Sequence, residues 1–372
     1  MATETKTASP SSPPPASGDS IPDHERYSRQ ILFPGIGTEG QQRLAAAHVA
    51  IVGCGATGAA TASLLARAGV GTLTLIDRDF VEPSNLQRQI LFDEADAREA
   101  LPKAEAARRK IALFNSSITV LPHIADLVPA NIDELLGPAH LILDATDNFE
   151  TRYLINDFAV RQSIPWIYAA AIGAYAATMN VLPTSLSGKD GATSLQTACL
   201  ACIFPKPPSG PVETCDTSGI LSTAVNFAAS LQTTEALKLL TGQPHLLRRT
   251  LLSFDLWSNE KSEISTGTPR PGCTVCGDRI FSHLAGEGRP HITLCGRNSV
   301  QIHERHRPVD LPAMRTRLAL QTDLHDLRAN DLLLRFRRGD YTFTLFSDGR
   351  AVIQGTTDIT LARSLYARFI GS

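Results

Sequence analysis

The chain has 372 residues, of which 43% are hydrophobic, so it can bury one large core and a smaller second one. Its 35 basic and 37 acidic residues are interspersed, which leaves a net charge of -2 and excludes a broad positive surface for nucleic acid or membrane. No run approaches the roughly 20 apolar residues of a membrane span, and the N-terminus lacks the layout of a secretion signal, so we expect a cytoplasmic protein.

Residues 1–25 are rich in Ser, Thr, Pro and Ala and have almost no large apolar side chains. Such a segment cannot offset the entropy that it would lose on ordering. We therefore predict a disordered N-terminal tail, followed by a first domain that spans residues 26–278.

Apolar strands alternate with helices in this first domain. The predicted strands are residues 49–52, 73–76, 118–121, 141–143 and 166–169. The predicted helices are a segment that ends near residue 68 and residues 103–113. This alternation predicts a Rossmann-like, doubly wound α/β fold with a mostly parallel sheet.

A glycine motif lies between the first strand and the first helix of this unit. Gly53, Gly55 and Gly58 form a GxGxxG, so backbone N–H groups and the helix dipole can receive phosphate charge. Asp77 ends the second strand, where a carboxylate can accept hydrogen bonds from both hydroxyls of a ribose. Up to this point of the chain, NAD and ATP are equally good candidates for the ligand.

Three cations favour a triphosphate. Arg88 lies in the segment Ser84-Asn85-Leu86-Gln87-Arg88-Gln89, Lys103 follows Pro102, and Arg29 lies near the start of the domain. The glycine turn largely binds the pyrophosphate of a dinucleotide, whereas attack at an α-phosphate requires that the developing negative charge on several oxygens and on the leaving pyrophosphate be neutralised. The cations therefore favour ATP over NAD.

Asp147 and Asn148 follow a further strand, at the sheet edge where ligands of open α/β sheets bind. Asp147 can hold Mg²⁺ through a carboxylate oxygen. The alternative is that this aspartate caps the helix that follows it. Because Asp147 occurs together with predicted phosphate-binding residues, we favour metal binding over helix capping.

The motifs RYSRQ, GCGATG, LID, SNLQRQ, LPKAEAA and DATDN occur in an order and spacing that resemble the ThiF/MoeB/HesA adenylating enzymes. The resemblance implies that ATP contacts Ala56, Asp77, Ser84, Asn85, Leu86, Gln87, Arg88, Lys103, Asp147 and Asn148. It also implies that Arg29 reaches the site of a second subunit, so that the protein is a homodimer. Two positions depart from the family: Ala56 replaces the usual glycine, and Cys54 replaces an apolar residue. Ala56 is small enough for binding to survive, and we expect Cys54 to be a buried small side chain.

Four of the seven cysteines form two CxxC pairs, Cys199 with Cys202 and Cys273 with Cys276. Four thiolates are the ligand set of a closed, structural zinc site. Disulfides or a redox CxxC are the alternatives, and a reducing cytoplasm disfavours disulfides. The resembled family has the same paired cysteines.

Cys215 lies in a Pro- and Gly-rich stretch just before a helix that we predict to begin near residue 219. A helix N-terminus there would favour its thiolate, which could attack an acyl-adenylate or carry sulfur. The resemblance implies the same role, because a cysteine at this position takes part in sulfur transfer in family members. The alternative, that adenylation completes the reaction and Cys215 has no role, stays open.

Residues 279–372 are predicted to form a small α+β module. Its strands are residues 332–336, 341–346 and 351–353, and Asp358 is predicted to cap a closing helix that ends near residue 369. We expect a packing or dimerisation role for it. It contains no rhodanese-like active-site loop, so an external sulfur donor is expected.

The residues and the resemblance together predict an ATP-dependent adenylyltransferase. Its partner would be a small ubiquitin-like sulfur-carrier protein, ThiS-like or MoaD-like, whose C-terminal Gly-Gly carboxylate is activated for thiamin or molybdopterin synthesis. The first rival is an NAD-linked oxidoreductase, which leaves the three cations without a common purpose. The second is a non-catalytic scaffold that binds the same carrier. Loss of Arg29, Lys103 or Asp147 would have indicated such a scaffold, and all three residues are present.

Overall fold

The computed structural model describes residues 22–183, 195–206, 215–286, 293–294, 299–302, 309–347 and 349–371. Most of the predicted tail, residues 1–21, lies outside this part of the chain. The first helix begins at Asp23, before the predicted start of the domain at residue 26.

The helices are α1 Asp23–Arg26, α2 Ser28–Ile31, α3 Gly37–Ala46, α4 Ala56–Ala68, α5 Glu94–Glu99, α6 Lys103–Phe114, α7 Ile132–Leu136, α8 Phe149–Gln162, α9 Leu200–Ile203, α10 Cys215–Ser218, α11 Ser222–Leu240, α12 Leu311–Ala319 and α13 Ile359–Phe369. The strands are β1 His48–Val52, β2 Thr72–Ile76, β3 Thr119–His123, β4 Leu141–Asp144, β5 Trp166–Ile172, β6 Tyr175–Val181, β7 Thr250–Asp255, β8 Glu260–Ser265, β9 Thr293–Leu294, β10 Ser299–Ile302, β11 His325–Ala329, β12 Leu333–Arg338, β13 Tyr341–Phe346 and β14 Ala351–Gln354. Across the described residues, every helix is too short or too polar to span a lipid bilayer.

The larger sheet of the described chain has eight strands in the order β3-β2-β1-β4-β5-β6-β7-β8. The pairs from β3 through β5 are parallel, which confirms the predicted doubly wound α/β fold. Strands β6, β7 and β8 extend the sheet in antiparallel pairs. The sequence did not indicate these three strands, and β8 shows why, because all six of its residues are exposed and it carries no apolar alternation.

The two faces of the sheet bury different cores, as the period of two in a strand requires. In β1, Val49 and Ile51 pack into a cluster that includes residues of α4 and α6. Ala50 and Val52 pack into a second cluster that includes residues of α7 and α8. Helices therefore cover both faces, and the carboxyl ends of β1, β2, β3 and β4 meet at one edge.

Helix α11 lies against α4 and β5 and carries a buried polar residue into the sheet. The side-chain amide of Gln232 donates to the carbonyl oxygens of Asp144, at 2.7 Å, and Ile167, at 2.8 Å. Its amide oxygen accepts from the Thr61 hydroxyl at 3.1 Å. These bonds fix the end of β4, from which the functional residues continue.

The C-terminal strands form a second, antiparallel sheet in the order β11-β12-β13-β14-β10-β9, as predicted for an α+β module. One face packs on α12 and α13, with Phe336 and Phe343 stacked at 4.6 Å between ring centroids. The Asp358 carboxylate accepts from the N–H groups of Thr360 and Leu361, which confirms the predicted cap of α13. The opposite face packs on the segment that follows β2.

Candidate functional site

The turn between β1 and α4 requires glycine at two positions. Gly53 has a φ of 91°, and a Cβ there would lie 2.6 Å from the carbonyl oxygen of Ala145. A Cβ on Gly58 would lie 1.9 Å from the carbonyl oxygen of Gly53. At Gly55, by contrast, a Cβ would meet one of the described atoms within 4 Å, the Gln89 amide nitrogen at 3.9 Å. The space above Gly55 therefore lets an anion approach the backbone at the start of α4.

Asp77 joins the end of β2 to the glycine turn. One carboxylate oxygen accepts from the N–H of Cys54 at 2.6 Å, and the other accepts from the N–H of Asp79 at 2.7 Å. Burial raises the pKa of this carboxyl, and the positive charge of Lys103 opposes the rise. Each oxygen keeps further lone pairs, so the carboxylate can still accept from a ribose.

Lys103 is the first residue of α6 and is 3% exposed. Its Nζ lies 3.3 Å from a carboxylate oxygen of Asp79, and its backbone N–H donates to the Asp79 carbonyl oxygen at 2.8 Å. The ion pair with Asp79 therefore fixes the position of the ammonium group.

The segment that contains Arg88 divides into structural and site-facing residues. The side chain of Asn85, which is 1% exposed, accepts from the N–H of Glu82 and so stabilises a 3₁₀ turn. Arg88 donates to the carbonyl oxygen of Ser84 at 2.9 Å, and its other nitrogen lies 3.9 Å from the sulfur of Cys215. The guanidinium thus lies between the turn and the cysteine.

The end of β4 separates the roles of two neighbours. Asn148 caps α8, because its side-chain oxygen accepts from the N–H of Thr151 at 2.8 Å. Asp147 is exposed, so its carboxylate is available to a ligand. The capping alternative raised for Asp147 therefore applies to Asn148 instead.

These elements surround one cleft with a volume of about 610 Å³, a size typical of small-ligand sites. The predicted residues that line it are Gly53, Gly55, Ala56, Asp77, Arg88, Lys103, Asp147, Asn148 and Cys215. The predicted residues outside its lining are Gly58, Ser84, Asn85, Leu86, Gln87 and Arg29. Arg29 is exposed on α2.

Sequence reasoning missed several residues that line the cleft, among them Arg78, Asp126 and Arg152. Arg78 lies 2.7 Å from the Asp126 carboxylate, and Arg152 lies 3.0 Å from the buried carboxylate of Asp144. Burial raises the pKa of Asp144, and Arg152 opposes the rise. Asp126 could have been found by its position, because it follows the carboxyl end of β3 at the ligand-binding edge.

The four paired cysteines form a single cluster, away from the lining of the cleft. Their sulfur atoms all lie within 4.8 Å of one another, with neighbours at 3.4, 3.7 and 3.8 Å. Four sulfurs that bind one zinc ion tetrahedrally at about 2.3 Å lie about 3.8 Å from each other. The spacing fits zinc and is too long for disulfide bonds, which are about 2.05 Å. The cluster can therefore hold a zinc ion with no open position.

Helix α8 holds both halves of this cluster. Its Asn156 accepts from the N–H of Leu200, next to Cys199. Its buried Asp157 accepts from the N–H of His283, beyond Cys276, and the His283 ring stacks on Tyr153 at 4.9 Å. The cluster thus connects two distant segments to the central sheet.

The two other described cysteines differ in environment. Cys54 is fully buried and burial raises the pKa of its thiol, as expected for a structural side chain. Cys215 is partly exposed in the cleft. It begins the four-residue α10, while the long helix α11 starts at Ser222 rather than near Gly219. Gly219 has a φ of 69°, and its carbonyl oxygen accepts from the N–H of Gly173 at 3.0 Å, so the helical conformation does not continue through it.

A model of the ThiF family matches residues 27–275 of this chain. The chain is 44% identical over 349 residues to the "Sulfur carrier protein ThiS adenylyltransferase" of Bacillus subtilis, across 93% of this chain and 99% of that protein. It is 36% identical over 255 residues to the "Sulfur carrier protein adenylyltransferase" of Thermus thermophilus, across 68% of this chain and 91% of that protein.

The fold is also similar to a crystal structure of Escherichia coli MccB with ATP. The TM-score is 0.56 and the identity is 25%, over 69% of this chain and 76% of the MccB chain. The similarity extends the match beyond sequence motifs to the arrangement of the elements.

Proposed function

The chain belongs to the ThiF family, and from this membership and the cleft we propose that it uses ATP to adenylate a sulfur-carrier protein. The acceptor is the C-terminal Gly-Gly carboxylate of a small ubiquitin-like carrier. One observation carries the proposal: Asp77, Lys103 and Arg88 line the same cleft as the open glycine turn and the exposed Asp147. A ribose ligand, two cations and a carboxylate for a metal are what a bound nucleoside triphosphate needs.

In this proposal, the chain positions ATP before any bond changes. The carboxylate of Asp77 accepts from the ribose hydroxyls, and the N–H groups at the start of α4 receive a phosphate above Gly55. We assign Lys103 and Arg88, which also line the cleft, to the phosphates, whose negative charge they would balance.

An oxygen of the carrier's terminal carboxylate then attacks the α-phosphorus. A bond forms between that oxygen and phosphorus, the bond to the bridging oxygen breaks, and its electron pair leaves with pyrophosphate. The attacking carboxylate is ionised at neutral pH, because the pKa of a terminal carboxyl is about 3.5, so no general base is needed. Positioning and charge stabilisation supply the rate enhancement.

Asp147 would hold Mg²⁺, because its exposed carboxylate offers the oxygen ligand that this ion prefers. The ion supplies positive charge to the phosphate oxygens when it is bound. Since the cap of α8 is provided by Asn148, binding a metal at Asp147 costs the helix no hydrogen bond.

Arg29 would complete the site of a second subunit. It lies outside the cleft of its own chain, and its neighbours Leu32 and Phe33 are 71% and 62% exposed. Two exposed apolar side chains beside a cation suit a surface that a second copy covers. If so, mixing Arg29→Ala subunits with Asp147→Ala subunits restores part of the activity that each variant lacks alone.

Cys215 would act after adenylation. Arg88 lies 3.9 Å from its sulfur, and a nearby guanidinium favours the thiolate. Attack of this thiolate on the acyl-adenylate forms a thioester and releases AMP. Sulfide from an external donor then attacks the thioester carbonyl, which forms the thiocarboxylate and releases the Cys215 thiolate. The alternative is that the donor attacks the adenylate directly and Cys215 takes no part.

Among the carriers, a ThiS-type protein is the first candidate, so thiamin synthesis is favoured over molybdopterin synthesis. The Bacillus relative that is named for ThiS aligns with 93% of this chain, far enough to include much of the C-terminal module. The Thermus relative, named for a sulfur carrier without further detail, aligns with 68% of it. We expect a cytoplasmic location, because four free thiol ligands need a reducing compartment.

The test is ATP–pyrophosphate exchange with the purified chain, magnesium and a carrier of the ThiS type. We expect labelled pyrophosphate to enter ATP with the intact carrier, and not with a carrier that lacks its last glycine. If neither a ThiS-type nor a MoaD-type carrier supports exchange, and the chain instead reduces NAD with some substrate, the oxidoreductase is supported. Carrier binding without exchange would support the scaffold.

A further inference from the structure

Arg350 of the C-terminal module forms hydrogen bonds with the two backbone segments that leave the sheet beside the cleft. Arg350 is 1% exposed, and its guanidinium lies 3.9 Å from the centre of the Phe346 ring. It donates to the carbonyl oxygen of Arg78 at 3.1 Å and to that of Ile124 at 3.5 Å. The first of these carbonyls follows β2 and the second follows β3, so one buried side chain of the module spaces two walls of the cleft.

A second contact reaches a side chain that lines the cleft. Gln301 in β10 is 5% exposed and donates its amide to one carboxylate oxygen of Asp126. The other oxygen of Asp126 accepts from Arg78 at 2.7 Å. Asp126 is therefore held between a residue of the module and a cation at the wall of the cleft.

The contacts continue through Asp79 to Lys103. Arg78 lies 3.9 Å from one oxygen of Asp79, and the other oxygen of Asp79 lies 3.3 Å from Nζ of Lys103. A continuous set of polar contacts thus leads from β10 of the module to the lysine that we assign to the phosphates.

An apolar contact surface keeps the module in this place. Phe80 and Ala100 of the first domain are buried against Leu333, Phe346 and Val352 of the module. Phe80 directly follows Asp79, so the same contact that buries the module also restricts the segment that carries Arg78. A loosely tethered appendage would not bury side chains on both sides.

We propose that the C-terminal module forms part of the nucleotide site, with Gln301 and Arg350 as positioning residues that hold Asp126 and Arg78 at the wall of the cleft. The inference rests on the proposed use of ATP. Arg78 directly follows Asp77 and pairs with Asp126 at 2.7 Å, and all three residues line the cleft, so displacement of Asp126 and Arg78 alters its shape beside the proposed ribose position. Loss of the Gln301 amide leaves Asp126 free to turn away and pull Arg78 with it, which weakens ATP binding.

The experiment measures the Kd of ATP by calorimetry on the full chain, with magnesium and without a carrier. Gln301→Leu keeps a buried side chain of similar size but removes the donor, and Asp126→Asn removes the charge that the donor holds. The matched control is Arg328→Ala, which removes another module contact, to the carbonyl oxygen of Arg98 at 3.0 Å, in a helix that does not line the cleft. Thermal unfolding of each variant establishes that it is folded at the temperature of the measurement.

We expect Gln301→Leu and Asp126→Asn each to raise the Kd of ATP about fivefold. Because both act through the same contact, the Kd of the double variant should be no higher than that of the single variant that binds ATP more weakly. Arg328→Ala should bind ATP as the unsubstituted chain does. Unchanged ATP affinity in folded Gln301→Leu overturns this inference alone, and so does an equal loss in Arg328→Ala. If the unsubstituted chain binds no ATP, the proposed function itself fails. Should Gln301→Leu not fold, Asp126→Asn with unchanged affinity overturns the inference in its place.

Discussion

The nucleotide cleft and the cysteine cluster satisfy their polar atoms in opposite ways. In the cluster, Cys199, Cys202 and Cys273 are buried and the four sulfurs face one another, so a bound ion has no open position. In the cleft, Asp147 is exposed and Asp77 keeps lone pairs that point away from its backbone donors. A closed donor set can stabilise the fold but cannot admit a substrate, whereas an open set can do chemistry at little benefit to stability. Substitutions should therefore separate activity from stability at the two places.

The largest effect is expected at Lys103, on activity alone. Lys103→Met keeps the aliphatic part of a buried side chain and removes its charge, so we expect ATP–pyrophosphate exchange to fall at least about 100-fold. The control is Lys110→Met on the same helix, where the lysine pairs with Asp93 and Asp96 outside the cleft. Equal exchange in the two variants would remove Lys103 from the mechanism.

Cys273→Ser should do the reverse and act on stability. Removing one of four ligands should release about one zinc per chain and lower the melting temperature by about 10 °C, which corresponds to a few kcal/mol. Cys215→Ser serves as the control, because this cysteine lies outside the cluster and should leave zinc content and melting temperature unchanged. Metal analysis and calorimetry provide both measurements. A zinc content that Cys273→Ser does not alter would contradict the assigned ligands.

Both places could be predicted from sequence where a motif fixes the backbone. The glycine motif predicts the phosphate-binding turn between β1 and α4, and the two CxxC pairs supply the four ligands that predict a zinc site. The residues missed in the cleft, such as Arg78 and Asp126, belong to no motif. The pairing of β2 with β3 brings these two side chains together, and Gln301 of the C-terminal module adds a contact that no local pattern indicates. The predicted fold was incomplete for a related reason, because the exposed edge strand β8 carries no apolar pattern.

The pH dependence of ATP binding should sharpen the role of Asp77. Burial raises the pKa of its carboxyl above the ordinary value of 3.8, although Lys103 opposes the rise. As pH falls through this raised pKa, the carboxylate gains a proton and loses an acceptor for the ribose, so ATP binding should weaken. The folded chain then holds a proton that the unfolded chain has released, so this group's contribution to the free energy of unfolding falls as pH rises through the same range.

Asp77→Asn is the matched variant for this measurement. We expect it to bind ATP about tenfold more weakly at neutral pH, because an amide oxygen is a poorer acceptor than a carboxylate. The ratio of its Kd to that of the unsubstituted chain should approach one as pH falls, and taking the ratio cancels the titration of the ATP phosphates. A ratio that is constant with pH would mean that Asp77 does not bind through its charge.

The smallest effect is expected at Asn148, where the prediction from resemblance and the structure emphasise different roles. The resemblance implies a contact with ATP, whereas the structure shows a cap on α8 through the N–H of Thr151. If capping is its main role, Asn148→Ala should lower stability by about 1 kcal/mol, or about 2–4 °C, while exchange by the folded protein falls by less than about threefold. Asn148→Asp, which keeps a capping oxygen, should restore the melting temperature. A loss of exchange in Asn148→Ala as large as that in Lys103→Met would instead place the amide in the open set of ligands, because a missing cap alone cannot remove charge stabilisation from the phosphates.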